Sequence, residues 1–116
     1  MSEEIRMYYN PSCSKCLFAL DFLKAQGITP KLIEYLSETP SVEDLKSILN
    51  KLGLKPIDIV RTKEPLFIEK FSQKSYTDDE YLYLIVQYPV LMQRPILVKQ
   101  DKAVIGRDNQ SLEQII

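Results

Sequence analysis

Hydrophobic and polar positions along this 116-residue chain fall into short runs with two different periods. Ile5, Met7 and Tyr9 alternate with Arg6 and Tyr8, the period-two pattern of a strand with one buried face. Asn10-Pro11-Ser12 ends that run, as Asn-Pro pairs do. From about Ser14 to Gln26 the period lengthens: Cys16, Leu17, Ala19, Leu20 and Leu23 recur at helical spacing, and Gly27 stands where a helix C-terminus favours glycine. A second strand is predicted near Lys31 to Leu36. Ser41 and Asp44 then read as an N-cap and its partner ahead of Leu45, Ile48, Leu49 and Leu52, with Gly53 as the stop. A short element around Ile57 to Val60 leads to Arg61, and a helix is expected near Glu64 to Phe71. Thr77-x-x-Glu80 is a capping box opening a helix that carries Leu82, Leu84, Ile85 and Val86 and ends before Pro89. Pro95 introduces Ile96-Leu97-Val98, and Ala103-Val104-Ile105 follows a turn at Gln100-Asp101. Together they read as a hairpin of two buried strands. A short helix, roughly Gln110 to Ile115, closes the chain.

The order is therefore strand, helix, strand, helices, strand, strand, helix. Parallel strands joined by a crossover helix, followed by a hairpin and a helix, imply an α/β fold with a mixed four-stranded sheet covered by helices. That layout resembles the thioredoxin fold, with a large helical insertion, about residues 40–90, between the second and third strands. The length suits a single domain over residues 1–116. There is no internal repeat and no Gly/Ser linker, and three glycines leave little room for one.

Composition narrows the function mainly by exclusion. Fifteen basic residues balance 16 acidic ones and form no basic run, so a nucleic-acid partner is not expected. No apolar run approaches the roughly 18 residues of a membrane span, and the charged start from Met1 to Arg6 lacks the features of a signal peptide. No membrane association and a cytoplasmic location are expected. The chain has no histidine and only two cysteines. A four-ligand structural zinc site would need carboxylates for half its shell, which is rare, and Ser-His and Cys-His dyads are excluded. Any nucleophile must be activated by a helix dipole, a cation or a carboxylate.

Cys13-Ser14-Lys15-Cys16 stands where the first strand gives way to the first helix. N–H groups and the macrodipole at a helix start stabilise an anion. Such a position lowers a thiol from about 8.5 to roughly 3.5–7.5. Lys15 adds a cation. Cys13 is expected to be the accessible, low-pKa thiolate and Cys16, one turn in, its more buried partner. Two small core cysteines are the plainer reading of the same pair. Arg61, Arg94 and Arg107 each lie beside an element boundary. Singly they read as solvated surface residues; converging on one thiolate, their planar forks would form a pocket for a tetrahedral oxyanion.

The segments Tyr9-Asn10-Pro11-Ser12-Cys13-Ser14-Lys15, Tyr35-Leu36-Ser37-Glu38-Thr39-Pro40, Arg61-Thr62-Lys63-Glu64-Pro65, Gln93-Arg94-Pro95-Ile96 and Ile105-Gly106-Arg107 resemble those of the ArsC family, the glutaredoxin-coupled arsenate reductases. The resemblance implies that Cys13 is the nucleophile that attacks arsenate, and that Arg61, Arg94 and Arg107 bind the oxyanion. It places Asn10, Pro11, Ser14 and Lys15 at the site and implies a cis Arg94–Pro95 peptide bond. It implies no tightly bound cofactor and no metal, with glutathione, glutaredoxin or thioredoxin as the reducing partner, and a monomer. Two positions depart from the family pattern. Tyr9 stands where a histidine is typical, and Cys16 where serine is usual. Cys16 creates a CxxC able to close an internal disulfide, and so a possible resolving cysteine reduced by thioredoxin. Spx-type redox regulators that bind RNA polymerase and glutathione-dependent thiol reductases resemble the chain as well. Spx-type chains usually carry an aromatic residue where this one has Arg107 and tend to extend past the last helix, whereas this sequence stops at Ile116. In the thiol-reductase branch too the third arginine is commonly replaced, so Arg107 favours the arsenate-reductase branch.

Overall fold

A computed structural model describes residues 4–116; Met1, Ser2 and Glu3 of the charged start lie outside the described residues. The chain divides into two compact units. One joins the stretch ending at Glu38 to Arg94–Ile116, and the other is Thr39–Gln93.

The first unit holds a four-stranded sheet of β1 (Arg6–Tyr9), β2 (Lys31–Glu34), β3 (Ile96–Lys99) and β4 (Lys102–Ile105), with helices α1 (Ser14–Ala25) and α5 (Asn109–Ile115). The strand order is β2-β1-β3-β4. β1 and β2 are parallel, with Met7 opposite Leu32, as a crossover helix requires. β1–β3 and β3–β4 are antiparallel, with Met7 opposite Leu97 and Leu97 opposite Val104. This is the mixed, thioredoxin-like sheet the sequence pattern implies, with the helical insertion between β2 and β3.

One core explains why the pieces assemble. Ile5 and Met7 from the β1 segment, Cys16, Ala19 and Leu23 from α1, Leu97 from β3, and Leu112 and Ile115 from α5 form a single buried cluster. The α1 members lie at i, i+3 and i+7, one stripe of a helix. Three differences from the sequence pattern have physical causes. β1 was expected to bury one face, yet Tyr8 is buried as well as Met7; successive strand residues point to opposite faces, so both faces of β1 are covered there. The second strand ends at Glu34, because Glu34 closes a turn by accepting N–H bonds from Ser37 at 2.9 Å and Glu38 at 2.7 Å. β4 is half-buried, not buried, since it forms the sheet edge.

The second unit contains α2 (Val42–Leu52), α3 (Pro65–Lys70) and α4 (Asp78–Gln87), with single 3-10 turns at Pro56–Ile59 and Pro89–Leu91. Both expected capping boxes form. Ser41 Oγ accepts the Asp44 N–H at 3.0 Å while Asp44 Oδ2 accepts the Ser41 N–H at 3.1 Å. Thr77 and Glu80 do the same at 3.2 and 2.8 Å. Losing either cap residue to alanine costs about 1 kcal/mol. Gly53 ends α2 at φ 70, a left-handed conformation open to glycine without strain. Leu45, Ile48 and Leu49 of α2 and Leu82 and Ile85 of α4 are buried. Among the described residues no helix is long and apolar enough to cross a membrane.

Candidate active site

The turn between β1 and α1 builds the site. Asn10 organises it: its carbonyl accepts the Cys13 N–H at 3.0 Å, and its Oδ1 accepts the Ser12 N–H at 2.9 Å. Its own N–H donates to Cys16 Sγ at 3.4 Å. Pro11, which has no N–H to offer, occupies an exposed turn position where none is needed. Cys13 is the N-cap of α1, extended at φ −96 and ψ 123. It makes no capping hydrogen bond of the usual kind, so the first-turn N–H groups of Cys16 and Lys15 are left to favour charge on its sulfur.

Arg94 reaches the same sulfur from the entry to β3. Its Nε donates to Cys13 Sγ at 3.3 Å across 81 residues of sequence. Burial by itself pushes the Cys13 thiol up, and the Arg94 guanidinium, the Cys16 N–H and thiol, and the Lys15 N–H outweigh it. The result is a thiol lowered from 9.0 to about 7, so that an appreciable fraction is thiolate near neutral pH. Cys16 goes the other way. Its burial dominates, the charge on Cys13 adds to it, and the thiol is pushed up to about 12 despite the Asn10 N–H. The two cysteines therefore divide into an anion and a proton holder. Arg94 itself loses from burial but gains more from Cys13, which holds it above its ordinary value and keeps it charged.

Cys13 is less open than its position suggests, at 8% exposure, and Cys16 is fully buried. The Arg94 side chain comes from a distant segment, which local sequence pattern does not reveal. The Arg94–Pro95 peptide bond is cis. Arg107 clasps this segment: its Nη1 donates to the Arg94 carbonyl at 2.6 Å, leaving other guanidinium N–H groups to face outward. Gly106 makes the clasp possible. Its N–H donates to the Pro95 carbonyl at 3.0 Å, and a Cβ there would lie 2.6 Å from Leu97 Cδ1 and 2.7 Å from Leu112 Cδ2. Gly106→Ala is expected to destabilise the fold by about 1–3 kcal/mol through overpacking. A lower denaturant midpoint at unchanged slope would show it, and an unchanged midpoint would mean the two leucines simply move aside.

The structure thus brings Cys13, Cys16 and Arg94 together, with Arg107 one carbonyl away and Ser14 and Lys15 on the first turn of α1. Arg61 belongs to the Thr39–Gln93 unit. There its Nη1 donates to the Val90 carbonyl at 2.9 Å and pairs with Glu64 at 3.0 Å. Two contributors escaped sequence reasoning. Asn10 was placed at the site, but not as the donor to Cys16. The packing demand at Gly106 was signalled only by a glycine just after a strand. Among the described residues no three metal-ligating side chains converge.

A thioredoxin-like sheet with a lowered-pKa cysteine at the first helix start, faced by an arginine from the segment before β3, defines a thiol-chemistry protein. Residues 8–115 match the ArsC family model. An arsenate reductase of Neisseria meningitidis serogroup A is 35% identical, the match covering 97% of this chain and 98% of that one. One of Haemophilus influenzae is 34% identical over 95% and 97% of the two chains. In three dimensions, an arsenate reductase from Vibrio cholerae superposes with a TM-score of 0.84 at 35% identity, covering 99% of this chain and 97% of its own. The chain belongs to the ArsC family.

Proposed function

We propose that this protein is a thiol-dependent oxidoreductase that reduces arsenate to arsenite, with Cys13 as nucleophile and Arg94 and Arg107 as oxyanion-binding residues. The observation that carries this reading is the Arg94 Nε to Cys13 Sγ contact at 3.3 Å, which sets a fixed cation against a thiol lowered to about 7. The names borne by relatives at about 35% identity support the same reaction class. In the first step Cys13 Sγ displaces one arsenate oxygen as water, forming a sulfur–arsenic bond while arsenic stays pentavalent. Arg94 and the outward N–H groups of Arg107 balance the charge on the remaining oxygens. A second thiol then forms a disulfide with Cys13, the sulfur–arsenic bond breaks, and its electron pair leaves with arsenic as arsenite. Arg61 joins the oxyanion arginines on the family resemblance, and Arg61→Ala is expected to weaken arsenate binding. Asn10, Pro11, Ser14 and Lys15 are proposed to shape the turn before α1, and Pro95 the segment before β3 that carries Arg94. A cytoplasmic setting, where thiols are kept reduced, suits this chemistry.

The source of the second thiol is open to direct test. Cys16 already faces Cys13, but its proton is held until about pH 12, so its attack on the adduct carries a deprotonation cost. The proposal is therefore an external thiol, with Cys16 donating to the resting thiolate. Mass spectrometry after one arsenate turnover without added thiol is expected to show no Cys13–Cys16 disulfide. Loss of two mass units in a peptide holding both cysteines would instead make Cys16 the resolving residue. The function itself is tested by arsenate-dependent NADPH oxidation, run in parallel with glutathione/glutaredoxin and with thioredoxin. Arsenate dependence in either system supports a reductase, and none in both removes it.

A further inference from the structure

Tyr35 is the largest fully buried side chain among the described residues, and it is not a member of the cluster that joins the sheet to α1 and α5. Its chain neighbours are not drawn in with it. Glu34 and Leu36 are both exposed, Leu36 at 44%. The Tyr35 hydroxyl is buried along with the ring. A phenylalanine would fill the same space without taking a hydroxyl out of water, which is unfavourable. The oxygen therefore calls for a role of its own.

The sheet sets this residue beside the active site. Tyr9 lies opposite Glu34 across the parallel β1–β2 pair, and Tyr8 lies opposite Ile96 across the antiparallel β1–β3 pair. Carried past the strand ends, the first register brings Tyr35 to one side of Asn10, and the second brings Arg94 to the other. Asn10 is the residue whose carbonyl accepts the Cys13 N–H and whose own N–H donates to Cys16 Sγ. Tyr35 and Arg94 also interact electrostatically. Burial works against the charge of Arg94, and Cys13 first, then Tyr35 and Cys16, outweigh it. Those three are the titratable groups that act on the guanidinium.

Arg94 needs more than one partner to do what the site asks of it. Its side chain is long and flexible, and its Nε contact with Cys13 Sγ at 3.3 Å leaves the guanidinium plane free to turn about that contact. A buried dipole beside it acts at low dielectric, where it restrains a charged group strongly.

We propose that Tyr35 is a positioning residue for the reaction, its buried phenol holding the Arg94 guanidinium with Nε turned to Cys13 and the remaining N–H groups turned to the oxyanion. The inference rests on the reading of Cys13 and Arg94 given above. The phenol stays neutral in this role, and its influence on the thiolate passes through Arg94.

Tyr35→Phe removes the oxygen and keeps the ring. Alkylation of Cys13 is followed against pH in four proteins: wild type, Tyr35→Phe, Arg94→Ala and the double variant. With the guanidinium no longer held, the Cys13 midpoint should rise in Tyr35→Phe. On the acid side of the midpoint its alkylation should then be about three- to tenfold slower than wild type, with the plateau at high pH kept. In the Arg94→Ala background the same Tyr35→Phe change should move neither the midpoint nor the rate. An unchanged or lowered midpoint in Tyr35→Phe overturns the proposal and leaves the role of Arg94 standing. A shift of equal size with and without Arg94 also overturns it, since Tyr35 would then act on Cys13 directly or through the fold. If Arg94→Ala itself keeps the wild-type midpoint, the thiolate role of Arg94 and the proposal fall together.

Discussion

Cys13→Ser should reduce arsenate turnover by about a thousandfold or more with either reductant system, because a serine hydroxyl does not ionise near neutral pH and the chain has no histidine to serve as its base. What Cys13 supplies is an anion made ready before substrate arrives. Its thiol is at about 7 because Arg94 and the first-turn N–H groups repay the cost of burying charge. None of those groups can extract a proton from a hydroxyl, so the variant keeps the pocket and loses the chemistry. The side chains differ by one atom, and the helix start has no usual capping bond to lose. The variant should therefore unfold at nearly the wild-type denaturant concentration. Substantial turnover in a folded Cys13→Ser protein would assign the nucleophile elsewhere.

Arg94→Ala should produce the second largest effect, and it should act twice. Removing the guanidinium takes away the largest influence that lowers Cys13, while the cost of burial remains, so the thiol should rise toward 9.0. At pH 7 the thiolate fraction then falls, and raising the pH should restore reactivity. Loss of a charge-assisted partner should also weaken arsenate or sulfate binding by about 1.5–3 kcal/mol, roughly tenfold or more. The two effects separate by experiment. Sulfate affinity reads the oxyanion role at any pH, and the pH dependence of alkylation reads the thiolate role. A normal sulfate affinity with a displaced titration would confine Arg94 to the thiolate; the reverse would confine it to the oxyanion.

What the sequence disclosed and what it hid follow from the range of each interaction. Capping boxes act within four residues, so Ser41–Asp44 and Thr77–Glu80 were legible as pairs of letters and form as expected. The stop at Gly53 and the reversal at Gly27 were equally local. Properties set by the sheet were not. Burial of Tyr8 together with Met7 requires cover on both faces of β1, which is tertiary packing and not a property of the strand's own residues. The helical spacing that included Leu17 with the core did not reveal that its side chain is 46% exposed, because Leu17 follows the buried Cys16 by 100° around the helix. At the site, CxxC at a strand-to-helix junction marked the cysteines. That Arg94 meets Cys13, and that Arg107 holds the Arg94 carbonyl, depends on pairings across 81 and 13 residues that no local pattern encodes. The family resemblance assigned those arginines to the oxyanion, but not the Arg94 contact with Cys13 or the Arg107 contact with the Arg94 carbonyl.

The measurement that bears most directly on the central claim is the pH dependence of Cys13 alkylation in the wild-type protein, resolved from Cys16 by mass spectrometry. Thiolate alone reacts, so the rate should climb about tenfold per pH unit below the midpoint and level off above it. The account predicts a midpoint at about 7 for Cys13 and no comparable reactivity at Cys16, which keeps its proton to about 12. A Cys13 midpoint near 9.0, with no lowering by Arg94 and the helix start, would contradict it.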